Sequence, residues 1–261
     1  MNILCIGDIV GRPGREVVAQ VLPRLKKEHR IDFVIANAEN ASGGNGLISK
    51  NANEILAAGV DLMTMGDHVW DKPDIFAYLQ DNPQKIIRPA NFPDGVPGVG
   101  ATIAQAPNGT KVGVINLLGR TFMRYNVACP FKTLEEILAT MRQETKVIMV
   151  DMHAEATSEK VALGHFADGK VSLVYGTHTH IQTADEKILP QKTAYITDLG
   201  MSGPYDSVIG QDKDIIITRF LTSMPHKFEV AKTSGTLHGV IIKVNPDTGT
   251  TESIVRVQAG I

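Results

Sequence analysis

His178 and His180 stand one residue apart in the run Gly176-Thr177-His178-Thr179-His180, directly after the apolar stretch Val171-Ser172-Leu173-Val174-Tyr175. Two imidazoles leaving the end of a buried strand can turn toward one metal centre, a use that packing alone does not explain. Taken singly, the pair is as compatible with a hydrogen-bonded core or surface position as with a ligand. What decides between the readings is whether other ligand-type residues occupy the same kind of position.

They do. Asp8 follows the apolar run Asn2 to Ile6, Glu39 and Asn40 follow Phe33 to Ala36, Asp67 and His68 follow Leu62 to Met65, and His153 follows Val147 to Val150. With the histidine pair, five apolar runs end in oxygen or imidazole donors. In an α/β sheet such ends share one edge, which is where ligands bind. Each residue alone has a plainer reading: Asp8 as a turn residue or helix cap, Glu39 as a surface carboxylate, His153 as a core histidine satisfied by a carbonyl. Their conjunction at one edge is most economically a shared polynuclear metal site. His29, His165, His226 and His238 lie in helical or tail contexts and receive no chemistry, whereas Tyr205 and Asp206 could border a pocket. The loop Gly43-Gly44-Asn45-Gly46 fits neither the Walker pattern nor the dinucleotide fingerprint.

The elements that must position these donors alternate. A helix with the stripe Val17, Val18, Val21, Leu22 and Leu25 follows the first strand, with Pro23 expected to kink it or end it early. A second helix is expected from a Ser49 cap to a Gly59 stop, and a third from Asp71 and Pro73 through Leu79. This order predicts parallel strands with crossover helices. After Ile86 prolines punctuate a loop, and Asn108-Gly109 predicts a hairpin and with it antiparallel pairing. Thr133 with Glu136 reads as a capping box, and Ser158 as a cap for the helix carrying Val161, Leu163 and Phe166. Ala194 to Thr197 reads as a strand, Gly200 to Gly210 as a loop, Ile215 to Leu221 as a helix. Tail strands are expected at Phe228 to Ala231, Leu237 to Val244 and Ser253 to Val257, with a turn at Asn245 to Gly249.

At 261 residues the chain accommodates one large α/β domain, and residues 1–261 are read as a single unit. Lys and Arg number 26 against 28 Asp and Glu, so no basic field is available to hold long nucleic acid. A nucleotide-sized substrate is not excluded. Two cysteines, Cys5 and Cys129, suit a reducing compartment. The first residues carry no basic leader and read as a strand, and no apolar run approaches the roughly 20 residues of a membrane span. A cytoplasmic protein without membrane contact is the expectation. Self-association is compatible with an enzyme of this size, although no apolar stripe specifies an interface.

The segments Gly7-Asp8, Asn37-Ala38-Glu39-Asn40, Gly66-Asp67-His68, Asp151 to Lys160 and Gly176 to His180 together resemble the YmdB-like branch of the calcineurin-like metallophosphoesterases. Arg88 to Asn91, Asn116 to Arg120 and Thr197 to Met201 extend the resemblance over essentially the whole chain. It implies a two-layered β-sandwich flanked by helices, with a two-metal site on one edge. Asp8, Glu39, Asn40 and His180 would hold the first metal; Asp67, His153 and His178 would hold the second, with Glu39 bridging. His68 would donate a proton to the leaving group. The metals implied are divalent or trivalent ions, iron first and manganese second. The activity implied is hydrolysis of cyclic nucleotides, 2′,3′-cyclic and also 3′,5′-cyclic, through a water that the paired metals convert to hydroxide.

The chain departs from the wider superfamily at Val10, where a histidine is usual, and at Glu39, where the bridging residue is usually aspartate; both changes are typical of this branch. The branch also carries asparagine at the position of Asp67. A carboxylate there adds negative charge to the centre, tightening metal binding while weakening Lewis acidity and repelling a phosphate anion. An alternative of a different class follows from that charge: a metal- and nucleotide-binding regulatory protein with little turnover. A structural α/β protein with a coincidental ligand-like edge is the third reading.

Overall fold

The computed structural model describes residues 1–261. In chain order the elements are β1 (Asn2–Ile6), β2 (Asp8–Ile9), α1 (Gly11–Glu28), β3 (Phe33–Asn37), α2 (Ser49–Ala57), β4 (Leu62–Thr64), α3 (Ile75–Asp81), β5 (Ile86–Ile87), β6 (Ala101–Gln105), β7 (Lys111–Leu118), α4 (Pro130–Glu144), β8 (Val147–His153), α5 (Thr157–Ala167), β9 (Leu173–Thr177), β10 (Lys187–Ile188), β11 (Ala194–Ile196), β12 (Met201–Pro204), α6 (Lys213–Thr222), β13 (Gly235–Val244) and β14 (Thr251–Gly260).

These strands form two sheets. One runs β2-β12-β13-β1-β3-β4-β5 with β14 against β13; the other runs β10-β11-β9-β8-β7-β6. As the alternation predicts, β1, β3, β4 and β5 are parallel, and so are β7, β8, β9 and β11. Antiparallel pairing enters at the Asn108-Gly109 hairpin, where Gln105 faces Lys111, and in the tail, where β13 pairs with β1 and β14. The Asn245 to Gly249 turn closes with Gly249 N donating to Asn245 O at 2.8 Å.

Side-chain alternation distributes the core. Ile3, Cys5, Phe33 and Ile35 of the first sheet share one buried cluster with Val112, Val114, Met149 and Leu173 of the second. The intervening residues Leu4, Ile6, Val34 and Ala36 turn the other way, onto Val17, Val18, Val21 and Leu22 of α1. On the second sheet Ile148, Val150 and Val174 likewise face Leu134 and Leu138 of α4 and Leu163 of α5. Each large aliphatic side chain so buried contributes about 1.5–3 kcal/mol, which holds the two sheets at a fixed separation. That separation matters because ligand-type residues come from both.

Several local expectations are corrected. Pro23 does not end α1, which continues to Glu28; the helix loses one backbone donor there, while the buried stripe from Val17 to Leu25 keeps it docked. Ser49 is the first residue of α2 and Ile48 precedes it without a side-chain cap. Gly59 does stop the helix, at a left-handed φ of +108°. Asp71 is a bend, Pro73 and Asp74 form a turn, and α3 begins only at Ile75. Thr133 and Glu136 lie inside α4, which starts at Pro130 because proline at the first helical position has no donor to lose. Ser158 follows the first residue of α5, and Ala156 holds the cap position. Met201–Pro204, within the expected loop, is a strand that pairs with both β2 and β13. Of Phe228 to Ala231, only Val230 makes a bridge. No helix is long and apolar enough to cross a membrane.

Candidate metal centre

The donors converge because β1, β3 and β4 end at the same edge as β8 and β9. Polar bridges lock the two sheets together there: Asp151 Oδ2 accepts from Thr64 Oγ1 at 2.5 Å and from Asn37 Nδ2 at 3.2 Å. Two glycines permit the close approach. A Cβ on Gly7 would lie 1.8 Å from Gly200 O, and one on Gly66 would lie 2.3 Å from both Glu39 Oε2 and His153 Nε2. His178 and His180 have φ of +95° and +65°, a left-handed backbone that costs a histidine on the order of 1–3 kcal/mol and that marks functional loops.

Seven of the eight sequence-predicted residues bring side-chain donors together, and His68 adjoins them through its backbone. Glu39, Asp67, His153 and His178 each offer an atom, and these atoms lie within 4.8 Å of one another, close enough to share an ion. His153 Nε2 is 3.1 Å from Asp67 Oδ1 and 3.2 Å from Glu39 Oε1. His178 Nδ1 is 3.3 Å from Asp67 Oδ1 and 3.1 Å from His153 Nε2. On the other side of Glu39, Asn40 Nδ2 lies 3.2 Å from Glu39 Oε1 and 3.1 Å from His180 Nε2, and His180 Nε2 is 3.9 Å from Asp8 Oδ1. Asp8 Oδ2 accepts the His178 N–H at 3.1 Å, while Oδ1 is buried with no hydrogen-bond partner. A buried carboxylate oxygen without a donor is an atom positioned for a cation.

The imidazoles are oriented from behind. His153 Nδ1 is 2.9 Å from Thr177 Oγ1, which in turn donates to Asp151 Oδ1 at 2.7 Å. His180 Nδ1 is 2.8 Å from Ile209 O, a group that can only accept. Both rings therefore carry their proton on Nδ1 and turn the Nε2 lone pair into the cluster. His178 and His180 hang from a loop held by Asp198, whose Oδ2 accepts from Thr179 N at 3.2 Å and Thr179 Oγ1 at 2.7 Å. The same oxygen pairs with the buried Lys160 Nζ at 2.7 Å.

Electrostatics follow the same geometry. Burial pushes the Asp8 carboxyl up, with His180 and His153 opposing it. Burial works against Glu39 and Asp67, yet the surrounding histidines together outweigh it, His153 and His68 at Glu39 and His153, His178 and His68 at Asp67, so that each is held below the usual carboxylate range. Burial would neutralise His153, but Glu39, Asp67 and Asp8 raise it well above an ordinary histidine. Asp151, fully buried, is pushed up to about 6 by desolvation against His153 and the two threonine hydroxyls.

His68 stands apart from this donor set. Its backbone N–H donates to Glu39 Oε2 at 2.9 Å, and its Nδ1 is 2.8 Å from Asp71 Oδ2. Burial lowers its pKa, but Glu39, Asp67 and Asp71 outweigh that and the net shift is upward. Arg124 Nη1 donates to the other oxygen of Asp71 at 2.9 Å. Asp71, Arg124, Thr177 and Asp198 were not singled out as functional residues from sequence. Asp71, three residues after His68, is the one for which spacing offered a signal. Tyr205 and Asp206 do not join the centre: Tyr205 stacks on His238 with ring centroids 4.1 Å apart, and Asp206 pairs with Lys213 on the surface. A cavity of about 850 Å³ opens beside the start of α1 and is lined by none of the eight residues. Donor chemistry, not void volume, marks the centre.

A family model described as YmdB-like protein matches residues 4–257. A Bacillus subtilis (strain 168) protein named 2′,3′-cyclic-nucleotide 2′-phosphodiesterase is 49% identical over 257 residues, covering 98% of this chain and 96% of that one. Two solved structures are similar throughout. A hypothetical protein from Thermus thermophilus superposes with a TM-score of 0.92 at 37% identity, covering 100% of this chain and 99% of its own. A phosphatase from Mycoplasma pneumoniae gives 0.93 at 33% identity, covering 100% and 93%. By sequence and by fold alike, the chain belongs to the YmdB-like family.

Proposed function

We propose that this chain is a metal-dependent phosphodiesterase that hydrolyses 2′,3′-cyclic nucleotides, and 3′,5′-cyclic nucleotides as well, on the helix-flanked two-layered β-sandwich of the calcineurin-like metallophosphoesterases. The observation that carries this reading is the convergence of Asp8, Glu39, Asn40, Asp67, His153, His178 and His180 at one edge, with His68 beside them and outside the donor set. The name of the Bacillus subtilis relative supports the substrate class.

The residues fit two cations. Asp8 Oδ1 is buried without a partner, and His153 and His180 present Nε2 because Nδ1 is engaged. Glu39 Oε1 is 3.2 Å from both His153 Nε2 and Asn40 Nδ2, midway between two groups of donors. Asp8, Glu39, Asn40 and His180 would hold one ion, and Asp67, His153 and His178, with Glu39, would hold the other. Half a turn of the Asn40 amide exchanges its nitrogen for the ligating oxygen. The mixed nitrogen and oxygen set suits iron or manganese. When bound, the ions supply Lewis acidity at the phosphoryl oxygens and lower the pKa of coordinated water.

The protein supplies the rest. His68, held at Nδ1 by Asp71, keeps Nε2 free to protonate the ester oxygen that departs when the P–O bond breaks. An alkoxide is a poor leaving group until protonated, so this step sets the rate for substrates with basic leaving groups. Glu155 Oε2, 3.3 Å from His178 Nε2, takes the outward N–H of that ring and fixes its inward face.

The test combines elemental analysis with hydrolysis of 2′,3′-cyclic AMP and bis-p-nitrophenyl phosphate on one sample. About two metals per chain and metal-dependent turnover are expected. No retained metal, together with no turnover after reconstitution with iron or manganese, would overturn the proposal.

A further inference from the structure

Between β7 and α4 the chain passes close to the centre without supplying any of the donors just described. Gly119 begins this segment packed against the turn between β8 and α5, where a Cβ would lie 2.6 Å from Ala154 Cβ and 2.7 Å from Glu159 Oε2. The Glu159 carboxylate then accepts the N–H groups of Arg120, at 3.1 Å, and Thr121, at 3.3 Å. Two residues later Met123 Sδ accepts the Glu155 N–H at 3.2 Å, and Arg124 binds Asp71. Glu155 is the partner of His178, and Asp71 is the partner of His68. The segment is therefore tied on one side to α5 and on the other to the residues that orient two groups of the centre.

Phe122 sits between these anchorages. It is 87% exposed and adopts φ of +61°. Left-handed backbone is uncommon for a bulky side chain and persists only where the surroundings over-determine it. An exposed phenyl ring also forgoes the burial that would normally offset its cost. Strain and exposure at one residue, on a segment pinned beside a phosphoesterase centre, are the features of a surface reserved for a ligand. A flat apolar ring carried outward on an anchored stretch of backbone offers its face to a planar partner.

We infer that Phe122 is a stacking platform for the nucleobase of the substrate, a specificity residue on the rim of the metal centre. This inference rests on the phosphodiesterase reading and adds to it the part of the site that distinguishes a nucleotide from any other phosphodiester. Phe122 takes no part in bond breaking. It selects substrates bearing a base, and purines more strongly than pyrimidines because their larger faces overlap the ring more fully.

The test compares kcat/KM for 2′,3′-cyclic AMP with that for glycerol 1,2-cyclic phosphate, a five-membered cyclic diester without a base, on the metal-loaded full chain. In the wild type the ratio favours the nucleotide. Phe122→Ala and Phe122→Leu are expected to lower the ratio about tenfold, through KM, and Phe122→Trp to preserve it. At so exposed a position these variants fold normally, which circular dichroism checks. An unchanged ratio in Phe122→Ala overturns the inference, as does a ratio lowered equally by Trp; either result leaves the phosphodiesterase reading standing. If the wild type hydrolyses neither compound, that reading fails, and equilibrium dialysis with adenosine 2′-monophosphate tests the platform alone. Binding weakened about tenfold in Phe122→Ala supports it, and equal or undetectable binding in both proteins overturns it.

Discussion

Asp71 Oδ2 lies 2.8 Å from His68 Nδ1, and the opposite oxygen of the same carboxylate is held by Arg124 at 2.9 Å. The aspartate thereby fixes which imidazole nitrogen faces outward. Asp71→Ala is expected to lower kcat for 2′,3′-cyclic AMP about 10- to 100-fold, as loss of a carboxylate that orients a histidine does at metal centres. Hydrolysis of bis-p-nitrophenyl phosphate, whose leaving group needs no proton, should fall much less. Steady-state kinetics with both substrates check this. Equal losses would remove His68 from the role of acid.

Asp67 contributes a full negative charge to a centre that also holds Asp8 and Glu39. Asp67→Asn keeps the shape and removes that charge, so it should raise turnover several-fold while loosening the metal. Turnover measured with excess metal, alongside retention after dialysis against EDTA, separates the two effects. Slower turnover at saturating metal would show that the carboxylate assists the chemistry.

The buried Lys160–Asp198 pair supports the loop carrying His178 and His180. Lys160→Met strands a buried carboxylate and should cost about 3–5 kcal/mol in urea unfolding. Asp198→Ala removes in addition the acceptor of Thr179 N, Thr179 Oγ1 and Gly200 N. It should therefore lower metal retention beyond any change in stability. Unfolding curves and elemental analysis on both variants check the difference.

His238 provides a pH dependence away from the centre. Its ring is buried against Tyr205, its Nδ1 lacks a partner, and desolvation lowers its pKa to about 4. The unfolded chain thus binds more protons between about pH 4 and 6.5, and stability rises with pH across that window. The contribution is fully present above about 6.5 and is lost as pH falls toward about 4. Allowing for solvent screening, His238→Gln should flatten the curve by about 2 kcal/mol between about pH 7 and 4, read by denaturant titration at each pH.

Much of the centre was legible in the amino-acid order because a strand's end is a fixed position. Apolar runs ending in Asp8, Glu39, Asp67, His153 and His178 announce parallel strands, and parallel strands bring their carboxyl ends to one edge within a sheet; because β1, β3 and β4 lie in one sheet and β8 and β9 in the other, the meeting of the two edges is set by how the sheets pack. Helix starts were less legible. Pro130, Thr157 and Ser49 open their helices without a side-chain cap, since packing of the buried face supplies what the cap would have added. The short strand Met201–Pro204 was hidden among glycines because its pairing with β2 and β13 comes from partners far away in the chain.

Donor type and strand periodicity are local properties, so the order of residues alone points to the candidate ligands and to their place at strand ends. What joins the two sets of strand ends, and what holds them, is not local. Asp151 meets Thr64 from 87 residues away and Lys160 meets Asp198 from 38. Such pairings depend on how two sheets face each other and where a helix crosses them, and no local pattern encodes a distance between separate elements. The same holds for the segment around Phe122, which is tied to Glu159 of α5 and to Asp71 after β4.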